Sequence, residues 1–313
     1  MAYDPLVMAD LVADALDLSD AEVSDLTQAT PFLNLLPVER SSNGETHKYA
    51  KETGAPVVGF RAPNVGRDED SSVDTVVTVT LKMLDWSFSV DKGVADIWRK
   101  GGGAALLARE GMRHLKAALV AFEKQVIYGA TSLADTGGFT GMVQATSVDA
   151  LADALTIDAT GTTADTASSC WAVRVGPNDL TAVVNGEGEI TVGEPTIQRL
   201  NSSGTLWYPA YYVPGCTWLG MQVGSIYSMG RIVNLTEDSG KGLTDALLGS
   251  LLAEFPVGRT PTHFVMNRRS LKQLRASRTA TNPSGQPAPF PVEAFGIPIV
   301  VTDSIVSTEA LVA

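Results

Sequence analysis

Cysteine is almost missing from this chain: Cys170 and Cys216 are the only two in 313 residues. Two thiols cannot build a disulfide framework. They read as partly buried thiols of a reducing compartment, with a single bridge between them left open. Histidine is nearly as scarce. His47, His114 and His263 have no second histidine or cysteine at ligand spacing, which argues against a metal centre. Long apolar runs are missing too, and none approaches the ~18 residues that read as a membrane span. Positive charge is in deficit, with a net charge of −12 and no lysine or arginine cluster to offset it. An acidic chain repels nucleic acid, so any DNA it meets is enclosed and not read through base or phosphate contacts.

Catalytic signatures are equally thin. A phosphate loop needs G-x-x-x-x-G-K-[ST]; around Lys241 the next residue is Gly242, and Leu235 stands where the first glycine belongs. There is no G-x-S-x-G elbow and no H-E-x-x-H. The opening MAYDPLVMADLVADALDL is acidic and lacks the basic and apolar regions of a signal peptide, so folding in the cytoplasm is expected.

What is present is an ordinary folded composition, 44% hydrophobic and 19% charged, rich in turns through 29 glycines and 16 prolines. Length alone allows one large domain or two to three smaller ones. The longest helical pattern is 101–129, where Ala108, Met112, Leu115, Leu119, Phe122 and Val126 recur at steps of three and four and Gly129 is placed to end it. Such a stretch predicts a rod of roughly 38 Å at ~1.5 Å per residue. Residues 75–91, TVVTVTLKMLDWSFSVD, read as one strand with a change of phase at Met83–Leu84, predicting a bulge or strong twist. Paired with 45–53, it makes a long ribbon that is marginal alone in water, and so is expected to lie on a neighbour.

Upstream, 5–29 reads as one or two short helices, with Ser19 and Glu22 forming a capping box. PFLNLLP follows as an apolar clip between Pro31 and Pro37. Downstream, short helices are expected near 91–100, 147–155, 243–254 and 268–277, with β structure across 168–235 and a closing strand in FGIPIVVTDSIV.

The order of these parts resembles the major capsid proteins of tailed bacteriophages. The resemblance is carried by TVTLKMLDWSFSVDKGVADIW followed by the helix and GFTGMV, then by LLGSLLAEFP, HFVMNRRSLKQL and AFGIPIVVTDSI. CWAVRVGPNDLTAVV and TWLGMQVGSIYSMGRIVNL are similar to a podovirus-type subgroup. The resemblance implies an α+β, HK97-like fold. It comprises an N-terminal arm over 1–43, an extended E-loop over 44–91, and a P domain over 92–167 with a spine helix at 103–128. P-domain strands over 168–235 carry an inserted hairpin region near 185–215, and an A domain spans 236–313. It implies hexamers and pentamers closing an icosahedral head around double-stranded DNA. A portal, a separate scaffolding protein and decoration proteins are the implied partners; about 40 residues before the E-loop leave no room for a fused scaffold. No catalytic, cofactor-binding or metal residue is expected, and no membrane.

Several residues admit a sharper reading beside a plain one. His114 with Glu110 reads as a solvated helix pair before an acid–base pair. Trp207, Tyr208, Tyr211, Tyr212 and Trp218 read as packing and subunit contact before a sugar platform. Arg67, Asp68, Glu69 and Asp70 read as a solvated tip, or as a partner for Arg268, Arg269, Lys272 and Arg275. Lys48, Lys51 and Lys82 fall where some shells carry a cross-linking lysine, but nothing marks the partner that such a bond requires. Two alternatives stand beside the phage shell: an encapsulin-like compartment, and a carbohydrate-active enzyme drawing on Glu187, Glu189 and Glu194.

Overall fold

Local chemistry sets the element boundaries in the computed structural model. It describes residues 30–67, 71–99, 101–145, 148–185, 192–203, 206–282 and 286–312. After a 3-10 turn at Leu33–Leu35, β1 (Val38–Arg40) leads to a ribbon of β2 (Thr46–Gly54) and β3 (Val73–Thr80). Then β4 (Lys82–Asp85), β5 (Phe88–Asp91), α1 (Lys92–Asp96) and the long helix α2 (Gly102–Tyr128) follow. The Asp91 carboxylate caps α1 by accepting from the Gly93 N–H. Gly129, at φ 63°, ends α2 in a conformation that a side chain disfavours.

The body continues with β6 (Thr156–Asp158), β7 (Ser168–Val173), β8 (Leu180–Val184), β9 (Thr196–Ser203), β10 (Leu206–Val213), β11 (Cys216–Val223) and β12 (Met229–Leu235). Helix α3 (Asp245–Ala253) starts at a Thr244 cap, and strand β13 (His263–Met266) precedes α4 (Arg268–Ala280), which starts at an Asn267 cap. β14 (Glu293–Ala294) and β15 (Ile297–Val301) close the fold.

Among the described residues the strands form four sheets, ordered β1-β8-β11-β4, β5-β10-β9, β14-β15-β13-β7-β12-β6 and β2-β3. Helix α2 joins two separate cores. Its last turns carry Phe122, Val126, Ile127 and Tyr128 into the main core with Trp171 and Phe264. Its first turns place Leu106 and Leu107 in a smaller core with Phe88, Val90, Trp98 and Val213. Burying each such side chain contributes about 1.5–3 kcal/mol, so both ends of the rod are held.

Several expectations change. The apolar stripe holds in the second half, where Phe122 and Val126 are buried, but is rotated by about one position in the first, where Leu107 and Gly111 are buried while Ala108 and Met112 face outward. Gly111 explains this, because it packs against a distant segment: a Cβ there would stand 3.1 Å from Val192 Cγ1. The strand over 75–91 is three strands in three sheets, broken at Leu81 and at Trp86–Ser87. The phase does change, but before Met83, which is exposed; Leu81 is buried, and then Trp86, Phe88 and Val90 are. No helix occurs within 148–155. Successive turns replace it, with the Asp153 carboxylate accepting from the Asp149 N–H. Cys170 is buried and Cys216 exposed, both as free thiols. Strands before and after residue 235 share the six-stranded sheet, in which β7 pairs with β12 and β13, and β13 with β15. The capping box at Ser19 and Glu22 and most of the expected arm lie outside the described residues.

Candidate assembly surfaces

The ribbon is seated at its base and exposed beyond it. His47 Nε2 and Gln222 Oε1 are 2.9 Å apart, and the Tyr49 hydroxyl donates to the Val223 carbonyl at 2.7 Å. Half burial raises the Tyr49 phenol pKa above its ordinary value, so it stays a donor. Gly220 in β11 makes room for the seat: a Cβ there would lie 3.2 Å from Val79 Cγ1 and 3.3 Å from Leu81 Cγ. Beyond Tyr49 and Val77 the two strands pair only with each other, and the residues of 55–67 are all exposed. Val57, Val58, Phe60, Val65, Val73 and Val76 present their side chains to solvent, Phe60 completely. Scattered apolar residues are normal on a surface, but this many on one thin projection mark an interaction site.

A second projection is the β9–β10 hairpin. Ile197, Leu206 and Trp207 are exposed on it, with the Arg199 guanidinium 5.1 Å from the Trp207 ring centre. The five expected aromatics do not form one platform. Trp207, Tyr208, Tyr211 and Tyr212 are on β10, whereas Trp218 is on β11 opposite Met83 in a different sheet. Glu194 is exposed, and Glu187 and Glu189 lie outside the described residues.

The basic helix α4 is largely committed within the subunit. Arg269 donates to the Leu235 carbonyl at 2.9 Å and Arg275 to the Ala288 carbonyl at 2.8 Å. Arg268 and Lys272 stay exposed, with long ion pairs of 3.7 Å to Asp303 and 3.8 Å to Glu237. Asp68, Glu69 and Asp70, their expected counterparts, lie outside the described residues. Glu110 is buried and paired to Arg113 at 3.0 Å, while His114 stacks on Phe88 with ring centres 4.6 Å apart. The expected solvated pair is therefore a buried carboxylate beside a stacked ring. Lys48 is exposed on β2, and Lys82 sits on β4 and not in the ribbon. Among the described residues, no group of three metal-ligating side chains gathers, and no helix is long and apolar enough to cross a membrane.

Buried polar groups that the sequence did not flag hold the ends together. The Glu123 carboxylate on α2 accepts from the Phe32 and Leu33 N–H groups at 3.2 Å each and from the Thr302 hydroxyl. Glu309 accepts from the Tyr128 hydroxyl, Ser169 and Arg231. The nearest and last described segments thus both close on one helix. Nothing in their local spacing announces this, because partners 78 to 181 residues apart leave no short-range pattern.

A body of mixed sheet around one long helix, with thin projections bearing apolar groups, is the HK97-like architecture of phage capsid proteins. The structure aligns with a chain in the cryo-EM structure of bacteriophage Epsilon15 at a TM-score of 0.71 and 20% identity, covering 100% of this chain and 98% of that one. It also aligns with the bacteriophage JBD30 capsid at a TM-score of 0.50 and 12% identity, covering 96% and 99%. An encapsulin of Synechococcus elongatus aligns at 0.46 and 11% identity, covering 74% and 97%. No curated protein matches the sequence. Residues 19–313 match the family described as major capsid protein GP7, and the chain belongs to that family. It is a structural protein of an icosahedral phage shell.

Proposed function

We propose that this capsid subunit forms hexamers and pentamers that close into a head around double-stranded DNA, with the β2–β3 ribbon reaching onto a neighbouring copy. The supporting observation is the ribbon itself: anchored at His47 and Tyr49, and apolar but uncovered at Val57, Val58 and Phe60. Shell contacts are weak singly and strong together, which favours slender projections that order on a neighbour over a few large interfaces. The net charge of −12 keeps the inner wall from adhering to the enclosed polyanion.

In this reading the subunit works without catalysis. It assembles in the host cytoplasm, ends in the virion, and meets a portal, a separate scaffolding protein and decoration proteins of a podovirus-type particle. The expected roles of 1–43 as arm, 44–91 as E-loop, 92–167 as P domain, 168–235 as P-domain strands with an inserted hairpin region and 236–313 as A domain belong to the same proposal. Negative-stain microscopy of the purified full chain tests it. Closed hollow particles with five-fold and six-fold units are expected; a dispersed small monomer under all assembly conditions overturns it.

A further inference from the structure

Two adjoining grooves on the subunit carry unpartnered positive charge. One, of about 420 Å³, lies between β4, the Ala121–Gln125 face of α2 and the loop at 133–139, with Lys82, Lys124, Met83 and Leu133 in its lining. The other, of about 480 Å³, lies under the ribbon base and contains Lys51 and Lys82. They share Lys82, Gly138 and Phe139, so together they form one trough with apolar walls. Lys51, Lys82 and Lys124 have no ion-pair partner among the described residues. Among the described residues the one acid in the lining is Asp135, which already accepts from the Gly137 N–H. Three lysines over an apolar floor, in a chain of net charge −12, ask for an acidic and apolar occupant.

The chain supplies one. Residues 1–29 contain seven acids (Asp4, Asp10, Asp14, Asp17, Asp20, Glu22 and Asp25) and no lysine, arginine or histidine. Leu6, Leu11, Leu16 and Leu26 lie between them. The described chain begins on another face of α2 from the trough: Phe32 and Leu33 are hydrogen-bonded to Glu123, which is not in the lining, although its sequence neighbours Phe122 and Lys124 are. Glu123 points away from the trough, so the segment must pass round the helix. Half the circumference of a helix about 10 Å across is roughly 16 Å, a path that about five extended residues cover at ~3.3 Å each, leaving some 24 to dock.

We infer that the acidic segment 1–29 of each subunit docks into its own trough, with its aspartates against Lys51, Lys82 and Lys124. The short tether favours the segment of the same copy over that of a neighbour, because it sets an effective concentration in the millimolar range. This contact lies within one copy and goes beyond the shell-forming reading; subunits that close into shells without it leave that reading intact.

Carbodiimide coupling of the full-length, unassembled protein tests it directly, since the reagent joins carboxylates only to lysines they touch. With a mixture of isotopically light and heavy subunits, cross-linked peptides between 1–29 and Lys51, Lys82 or Lys124 are expected within one isotopic copy. Coupling of 1–29 only to other lysines, only between copies, or not at all overturns the inference. Independently, K82E/K124E is expected to raise the rate of Asp-N cleavage within 1–29 by roughly three- to tenfold, as two exposed ion pairs allow. K116E, on the exposed face of α2 outside the trough, should leave that rate unchanged. Adding D14K/D17K to K82E/K124E should restore protection, and an unchanged rate in K82E/K124E refutes the docking.

Discussion

Arg231 Nη2 lies 3.0 Å from Glu309 Oε2, and each side chain keeps only 4% of its surface. The pair joins strand β12 to the last described segment, and it does not stand alone. Arg231 also donates to Ser169 at 2.9 Å and lies over the Trp171 ring, while Glu309 accepts from the Tyr128 hydroxyl at 2.7 Å. A buried ion pair is weak evidence for net stability, but removing one partner strands the other charge in the core.

Glu309→Ala is therefore expected to destabilise the subunit by about 3–5 kcal/mol, read as a lower urea midpoint at unchanged slope. Replacing both residues by apolar groups of similar volume should cost much less. A loss below ~0.5 kcal/mol in Glu309→Ala would mean that the tail does not hold the sheet to α2.

Tyr128 gives the same lock a pH dependence. Burial first, and the Glu309 carboxylate second, push its phenol pKa well above the ordinary range. The folded state thus keeps a proton that the unfolded state releases near pH ~10. Its contribution is fully present below that pH and is lost as pH rises above it. Tyr128→Phe should flatten the alkaline fall in the urea midpoint and cost about 1–3 kcal/mol at neutral pH by leaving Glu309 and the Val306 N–H short of a partner.

The end of α2 tolerates no side chain where it meets the next loop. A Cβ on Gly129 would stand 2.2 Å from the Gly141 nitrogen, and one on Gly141 would stand 2.3 Å from the Gly129 nitrogen. Backbone meets backbone there, so neither can give way. Gly141→Ala should yield insoluble or unfolded protein. Gly240→Ala is the contrast: its φ is 77°, but a Cβ meets nothing within 4 Å, so a loss of only about 1–2 kcal/mol is expected. Comparing soluble yield and thermal midpoints separates the two cases.

These locks also mark where sequence reading stops. The rod at 102–128, the ribbon pairing of 46–54 with 73–80, and the helices at 245–253 and 268–280 all follow from spacing, caps and β-branched runs, which are local. The rotation of the α2 stripe is not local. It depends on Val192 resting on Gly111, 81 positions apart in the chain (192 − 111 = 81). The break of 75–91 into three strands depends on what each piece pairs with: β2, β11 and β10 in turn. The buried carboxylates Glu123 and Glu309 looked like any surface acid, because their partners come from distant turns and strands.

The thiols offer a simple check of the core. Complete burial raises the Cys170 thiol pKa far above its ordinary value, while Cys216 is exposed on β11. One thiol per unassembled subunit should react with a disulfide reagent in native buffer, and two after denaturation. Cys216→Ser should abolish the fast reaction. Two fast-reacting thiols in the wild-type chain would mean that β7 is not buried as described.

The ribbon tip separates stability from assembly. The side chains of Val57, Val58 and Phe60 are exposed to solvent, so replacing all three by serine should shift the subunit's urea midpoint by no more than ~0.5 kcal/mol. Their apolar area lies open in the subunit, and covering it on a neighbour contributes about 25 cal/mol per Å² at each contact. A shell repeats that contact in every copy, so a loss too small to detect in one subunit multiplies across the particle. The triple variant should thus remain a folded subunit and fail to form closed particles by sedimentation and microscopy. His47→Ala differs, because it removes the hydrogen bond to Gln222 at the seat of the ribbon. It should weaken both the fold, by about 1 kcal/mol, and assembly. Closed particles of normal thermal stability from the triple variant would show that the tip lies free in the shell, and the intersubunit contacts would then have to come from the β9–β10 hairpin and the body.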